Sequence, residues 1–117
     1  MPPHGNKCQA DGHTFDSTAE MRRYHVLMLM QAAGEISGLE VHPRFELQPR
    51  RDTIKVINYT ADFSYIVDGR RVVEDVKPWR RSKATGKLLP ICTEAFSVRW
   101  RMAQYQHPEI VFRIVEG

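Results

Sequence analysis

Cysteine is scarce in this chain. Cys8 and Cys92 are the only two, far apart in sequence, which excludes a disulfide framework as the source of its stability. Paired-cysteine spacing of the zinc-binding kind is missing as well. His4, Cys8 and His13 form the nearest approach to a zinc trio, and a flexible tail over residues 1–14 is the better reading of that stretch. No His-Glu-x-x-His motif, internal repeat or low-complexity segment is found.

Long apolar runs are also missing. None approaches the ~20 residues that span a bilayer. The opening "MPPHGNKCQADGHTF" holds no apolar stretch of the secretory-signal type. A cytoplasmic location without a membrane partner is therefore expected. Acidic residues are missing from one segment: between Lys77 and Cys92 lie Lys77, Arg80, Arg81, Lys83 and Lys87 and no Asp or Glu. Such a cluster suits a polyanionic partner, through phosphate neutralisation and counterion release; the alternative is a solvated charged loop.

What remains is ordinary for a globular protein. The chain has 117 residues, 42% hydrophobic and 26% charged, with a net charge of +3. That length suits one domain and one core, expected over residues 15–117.

The pattern along the chain predicts alternating element types. "FDSTAEMRRYHVLMLMQAAG" reads as a helix that Asp16 or Ser17 can cap and Gly34 can end. "LEVHPRFELQP" reads as a strand or extended segment, with Pro43 at an edge or bulge because it cannot donate to a ladder. "KVINYTADFSYIV" and "RRVVEDVK" are rich in β-branched and aromatic residues and flank Asp68-Gly69, a strong hairpin signal. A basic loop follows. "TEAFSVRWRMAQYQ" then places Phe96, Trp100 and Ala103 on one helical face with Thr93 as cap, and "EIVFRIV" is a final strand. The order is α-β-β-β-α-β, an α/β (α+β) domain.

The predicted hairpin brings two acids together. A two-residue turn at Asp68-Gly69 pairs Tyr65 with Val72, Phe63 with Glu74, and Asp62 with Asp75. Cross-strand partners have Cβ atoms ~4.5–5.5 Å apart, and like charges there repel. A divalent cation would compensate; the alternative is a solvated sheet face that tolerates both. Alternation puts Lys77 on the same face as Asp75 and Glu74 on the opposite one. Two carboxylates and an ammonium around an oxygen-liganded cation suit phosphodiester hydrolysis. Glu20 lies on the helix face that should meet the sheet, and Ser17-x-x-Glu20 also reads as a capping box.

Asp62, followed by Asp75-Val76-Lys77 with an acid on a preceding helix, resembles the PD-(D/E)XK nuclease superfamily, whose core has the α-β-β-β-α-β order. "FDSTAEMRRYHVL", "RFELQP", "YTADFSY" and "VVEDVK" look, more specifically, like the small phage and prophage family catalogued as domain of unknown function 1064. The likeness covers roughly residues 11 to 115. It implies a mixed central sheet flanked by helices. It also implies metal ligands at Asp62, Asp75 and the backbone carbonyl of Val76, a catalytic Lys77, and Glu20 in the site directly or through a water. Mg²⁺ or Mn²⁺ is the implied cofactor. Two departures stand out: Ala61 replaces the signature proline, and Pro78-Trp79 follows the lysine.

The implied activity is a metal-dependent DNA endonuclease in phage or prophage recombination, repair or replication, inside a bacterial host cell. With no room for a separate recognition module, structure-selective cleavage of branched or Holliday-junction DNA is expected. Symmetric cutting of a junction would need a homodimer. Phosphate contacts are expected from Arg50, Arg51, Arg80, Arg81, Lys83, Lys87, Arg99 and Arg101. Trp79 would either stack on an unpaired base or pack in the loop. The competing expectation is a non-catalytic DNA-binding accessory protein on a nuclease-like scaffold.

Overall fold

The computed structural model describes residues 7–117. Two helices are present, α1 (Thr18–Ala32) and α2 (Glu94–Gln106). The strands are β1 (Cys8–Ala10), β2 (His13–Phe15), β3 (Ser37–Val41), β4 (Arg44–Gln48), β5 (Ile57–Thr60), β6 (Phe63–Val67), β7 (Arg70–Lys77), β8 (Trp79–Arg81), β9 (Leu88–Pro90) and β10 (Val111–Glu116). The central sheet has the order β10-β7-β6-β3. Strand β6 is antiparallel to β3 and β7, whereas β10 runs parallel to β7, so the sheet is mixed. A parallel neighbour needs a crossover connection, and α2 lies within it.

The β6–β7 hairpin turns where the sequence predicts. Asp68 and Gly69 both have positive φ, 51° and 76°, as the tight two-residue hairpin turn demands. The register is as expected, from Val67 opposite Arg70 to Phe63 opposite Glu74. Because side chains alternate along β7, Val72 joins a core with Tyr24 and Leu27 of α1. Val73 joins a second core with Trp100 and Ala103 of α2 and with Phe45 and Tyr59 of the β4–β5 hairpin. Each fully buried aliphatic side chain in these layers contributes about 1.5–3 kcal/mol.

Both helices are capped as expected. Ser17 Oγ accepts from the Glu20 N–H at 3.1 Å, and Thr93 Oγ1 accepts from the Phe96 N–H at 3.1 Å.

Four expectations need correction. Within residues 1–14, read as a flexible tail, β1 and the start of β2 form a hairpin that turns at Asp11-Gly12, with φ of 52° and 81°. It is held by the buried Phe15 and by Tyr24, whose hydroxyl donates to Asp11 Oδ2 at 2.7 Å. The zinc trio includes His4, which lies outside the described residues; His13 packs its ring against Tyr24.

Both long extended segments split. "LEVHPRFELQP" divides into β3 and β4, and "KVINYTADFSYIV" into β5 and β6, each half in a different sheet. The breaks lie side by side and bond to each other. The His42 N–H donates to the Asp62 carbonyl and the Ala61 N–H to the Pro43 carbonyl, both at 2.9 Å. Pro43 has no N–H to continue a ladder, so the chain leaves the sheet there.

The basic loop is a hairpin too. Trp79–Arg81 pairs with Leu88–Pro90, and Arg81 Nη1 donates to the Gly86 carbonyl at 2.6 Å.

Candidate metal and nucleic-acid site

Strand β7 outruns its partner. Strand β6 begins at Phe63, opposite Glu74, so Asp75, Val76 and Lys77 extend past the β6 end of the ladder. Asp62 occupies the bend at that point and fills the gap with its side chain, Oδ2 accepting from the Val76 N–H at 2.6 Å. The N–H and C=O of a strand residue face the same edge, so the Val76 carbonyl faces the side on which Asp62 sits.

Asp75 is 3% exposed and lies on the α2 side of the sheet. The Tyr59 hydroxyl donates to its Oδ2 at 2.5 Å, and Lys77 Nζ stands 3.0 Å from its Oδ1. The Lys77 ammonium also lies over the Phe96 ring, 4.1 Å from the centroid, a cation–π contact that fixes the end of a flexible side chain. Burial and the Asp75 carboxylate push the Tyr59 hydroxyl well above the usual phenol range, so it stays a donor.

Glu20 is 4% exposed at the N-terminal turn of α1. Its Oε2 accepts from the Asp16 N–H at 3.2 Å, one residue before the Ser17 cap, so it also ties down the chain entering α1. Its Oε1 lies 2.8 Å from His42 Nε2.

Burial pushes the Asp62 carboxyl up to about 9, with the neighbouring charges of Asp75 and then Glu20 adding to the shift; the Val76 N–H opposes it. The charged form of Asp62 is thus disfavoured here unless positive charge arrives. The donors converging here are carboxylates and one backbone carbonyl, with acids in excess. That set fits a hard divalent cation such as Mg²⁺ or Mn²⁺.

Asp62 and Asp75 open onto a groove of about 410 Å³ lined by Asp16, Asn58, Tyr59, Thr60, Asp62, Asp75, Lys77, Thr93, Ala95, Phe96 and Arg99, while Glu20 lies outside that lining. Of the eight basic residues expected to touch phosphate, only Arg99 is on its lining. Arg80, Arg81 and Lys83 line a separate cavity of about 630 Å³ along the β8–β9 hairpin, and Lys87 is exposed on the same hairpin. Pro78 alone separates this hairpin from Lys77. Arg101 lies two residues beyond Arg99, about 200° around the helix, in a different depression with Val98 and Tyr105. Arg50 and Arg51 are exposed where β4 turns toward β5 and do not line the groove. Trp79 is partly buried, its indole nitrogen enclosed without a partner among the described residues, so the packing alternative describes it better than an open stacking platform.

His42 and Tyr59 are the site residues that sequence reasoning passed over. Tyr59 is separated from Asp62 by three positions within a run read as one strand, where alternation would put the two on opposite faces. The corner at Ala61-Asp62 cancels that rule. His42 carried one signal: it precedes Pro43, at the point where the ladder must break.

No helix of the described residues is long and apolar enough to cross a membrane. Searches of curated proteins and of solved structures found no match. The family model described as "Protein of unknown function (DUF1064)" matches residues 4–114. The chain belongs to the DUF1064 family.

Proposed function

We propose that the protein is a Mg²⁺- or Mn²⁺-dependent DNA endonuclease of the PD-(D/E)XK type, selective for branched or junction DNA. One observation carries this reading. Asp62 and Asp75 converge where β7 extends past β6, with Lys77 beside them, and Asp62 is pushed up to about 9 by burial and acidic neighbours. Perturbed carboxylates gathered at a groove mark a candidate functional site.

A bound divalent cation would neutralise charge on the scissile phosphate and acidify a water. Asp62, Asp75 and the Val76 carbonyl would hold it, with Glu20 joining directly or through a water. Lys77, tethered between Asp75 and the Phe96 ring, orients the attacking water and stabilises negative charge on the phosphate oxygens. Tyr59 fixes Asp75 by donating to one of its oxygens. Arg99 at the groove and Arg80, Arg81, Lys83 and Lys87 on the adjacent hairpin position the backbone without reading bases. Such contacts favour shape over sequence. Symmetric cutting of a junction would require two copies of the chain.

The test is cleavage of labelled duplex, single-strand, flap and four-way-junction DNA with Mg²⁺, Mn²⁺ or EDTA, by wild type and Asp75→Ala in parallel. The expected result is metal-dependent cleavage, strongest on branched DNA and absent in the variant. Cleavage that survives Asp75→Ala would overturn the site assignment. Binding without cleavage of any substrate would favour a non-catalytic accessory protein on the same scaffold.

A further inference from the structure

We propose that His42 is itself a cation ligand, joining Glu20 and Asp62 in a nitrogen-bearing seat beside the one that Asp62 shares with Asp75. The inference rests on the cation-dependent reading above and adds to it a donor type, and with it a metal preference. The ligand atoms of Glu20, His42 and Asp62 all lie within 4.8 Å of one another. His42 Nε2 and Glu20 Oε1 are 2.8 Å apart. Donors held ~2.1 Å from one octahedral ion stand roughly 3 Å apart when adjacent and roughly 4.2 Å apart when opposite. The 4.8 Å bound on the three separations lies just beyond that span, so the side chains must draw together to share an ion.

Charge balance points the same way. Three carboxylates, Glu20, Asp62 and Asp75, meet at this corner. The ammonium of Lys77 is committed to Asp75, and among the described residues no Lys or Arg pairs with Glu20 or Asp62. The imidazole is also held in place from its own backbone. His42 has φ 58°, unusual for a residue with a side chain, and its N–H is tied to the Asp62 carbonyl. The residue that supplies the nitrogen is thereby bonded to the residue that supplies the shared carboxylate.

Imidazole is a poor donor for Mg²⁺ and a better one for first-row transition ions. The seat should therefore favour Mn²⁺ over Mg²⁺. The experiment is pulsed electron paramagnetic resonance of the full-length protein loaded with Mn²⁺, alongside calorimetric titration of Mn²⁺ and Mg²⁺. Wild type and His42→Asn are compared, because asparagine tolerates the left-handed backbone. The expected result is imidazole-nitrogen modulation of the Mn²⁺ signal in wild type and its loss in the variant. Mn²⁺ affinity should fall roughly 10–100-fold, the scale of losing a ligand or its support, and Mg²⁺ affinity by less than about threefold. Wild-type protein with isotopically heavy histidine provides a second measurement that needs no variant, since the modulation must change frequency. Mn²⁺ that binds without nitrogen modulation, or modulation that persists in His42→Asn, would overturn the role of His42 and leave the cation-dependent reading standing. Wild type that binds no Mn²⁺ would overturn both.

Discussion

Glu74 and Asp75 are consecutive residues of one strand, both buried, facing opposite sides of the same sheet. Glu74 is 0% exposed and fully matched. Arg23 of α1 grips it with two bonds, Nε at 2.6 Å and Nη2 at 2.9 Å, and the Tyr65 hydroxyl adds a third at 2.7 Å. Its partners respond as a satisfied pair should: the bond to Glu74 raises the Arg23 pKa, and burial and Glu74 push Tyr65 up to about 12. On the other face Asp75 meets Lys77 and Tyr59, and also Asp62, with Glu20 close behind. One acid with one bidentate guanidinium closes a core. Three acids with one ammonium leave a deficit of positive charge at a groove. Burial is alike for both residues, so the local count of charges is what separates structure from chemistry.

The largest expected effect breaks the groove side. Asp75→Asn should lower metal-dependent cleavage roughly 10³-fold or more, the scale of removing a group that acts in a unit, as read by single-turnover kinetics on the preferred DNA. Binding to that DNA should hold or tighten, because a charge near phosphate is removed; weaker binding would count against acids that face DNA. Next is the structural side. Arg23→Met leaves Glu74 buried and unmatched and should cost about 3–5 kcal/mol in denaturant unfolding, with cleavage per folded molecule near wild type. Comparable loss of cleavage per folded molecule would blur the division between the two faces.

How far this contrast was legible in the sequence depends on where the chain turns. The Asp68-Gly69 signal was enough to set the register as far as Phe63 opposite Glu74 and to send Glu74 to the other face; the expected pairing of Asp62 with Asp75 stops short, because the ladder ends at Phe63 and Asp62 lies in the bend. Both helices and their caps could be read from periodicity and from Ser17 and Thr93. The same signal at Asp11-Gly12 was passed over, since the strands beside it are only three residues long and lean on α1 for their burial. The corner at His42-Pro43 and Ala61-Asp62 was not legible. It depends on two breaks, distant in sequence, bonding to each other, and those bonds bring His42 and Tyr59 to the acids. Local pattern carries the elements, and long-range pairing carries the corner.

Tyr59→Phe removes one donor from Asp75 and keeps the ring that packs on Trp100. Cleavage should fall about 10–100-fold with little change in stability, as for other groups that orient a ligand. The smallest effect sharpens the charge deficit. Asp62 holds its proton more tightly when folded than unfolded, because its folded value, about 9, lies above the ordinary 3.8. Its contribution therefore favours folding at low pH and is lost as pH rises through that window. Without metal, Asp62→Asn should gain about 0.5–2 kcal/mol at pH 8 and lose most of this pH dependence in thermal melts.

The most direct measurement is the thermal midpoint at pH 8, with and without saturating Mn²⁺, for wild type, Asp75→Asn and Glu74→Gln. A ligand present at about 100 times its dissociation constant stabilises by about 2.7 kcal/mol. Wild type should rise accordingly, and Glu74→Gln should rise as much from a lower starting point. Asp75→Asn should rise less, by only what the seat of Glu20, His42 and Asp62 supplies. An equal rise in Asp75→Asn, or none in wild type, would contradict the claim that the acids where β7 extends past β6 form a cation site.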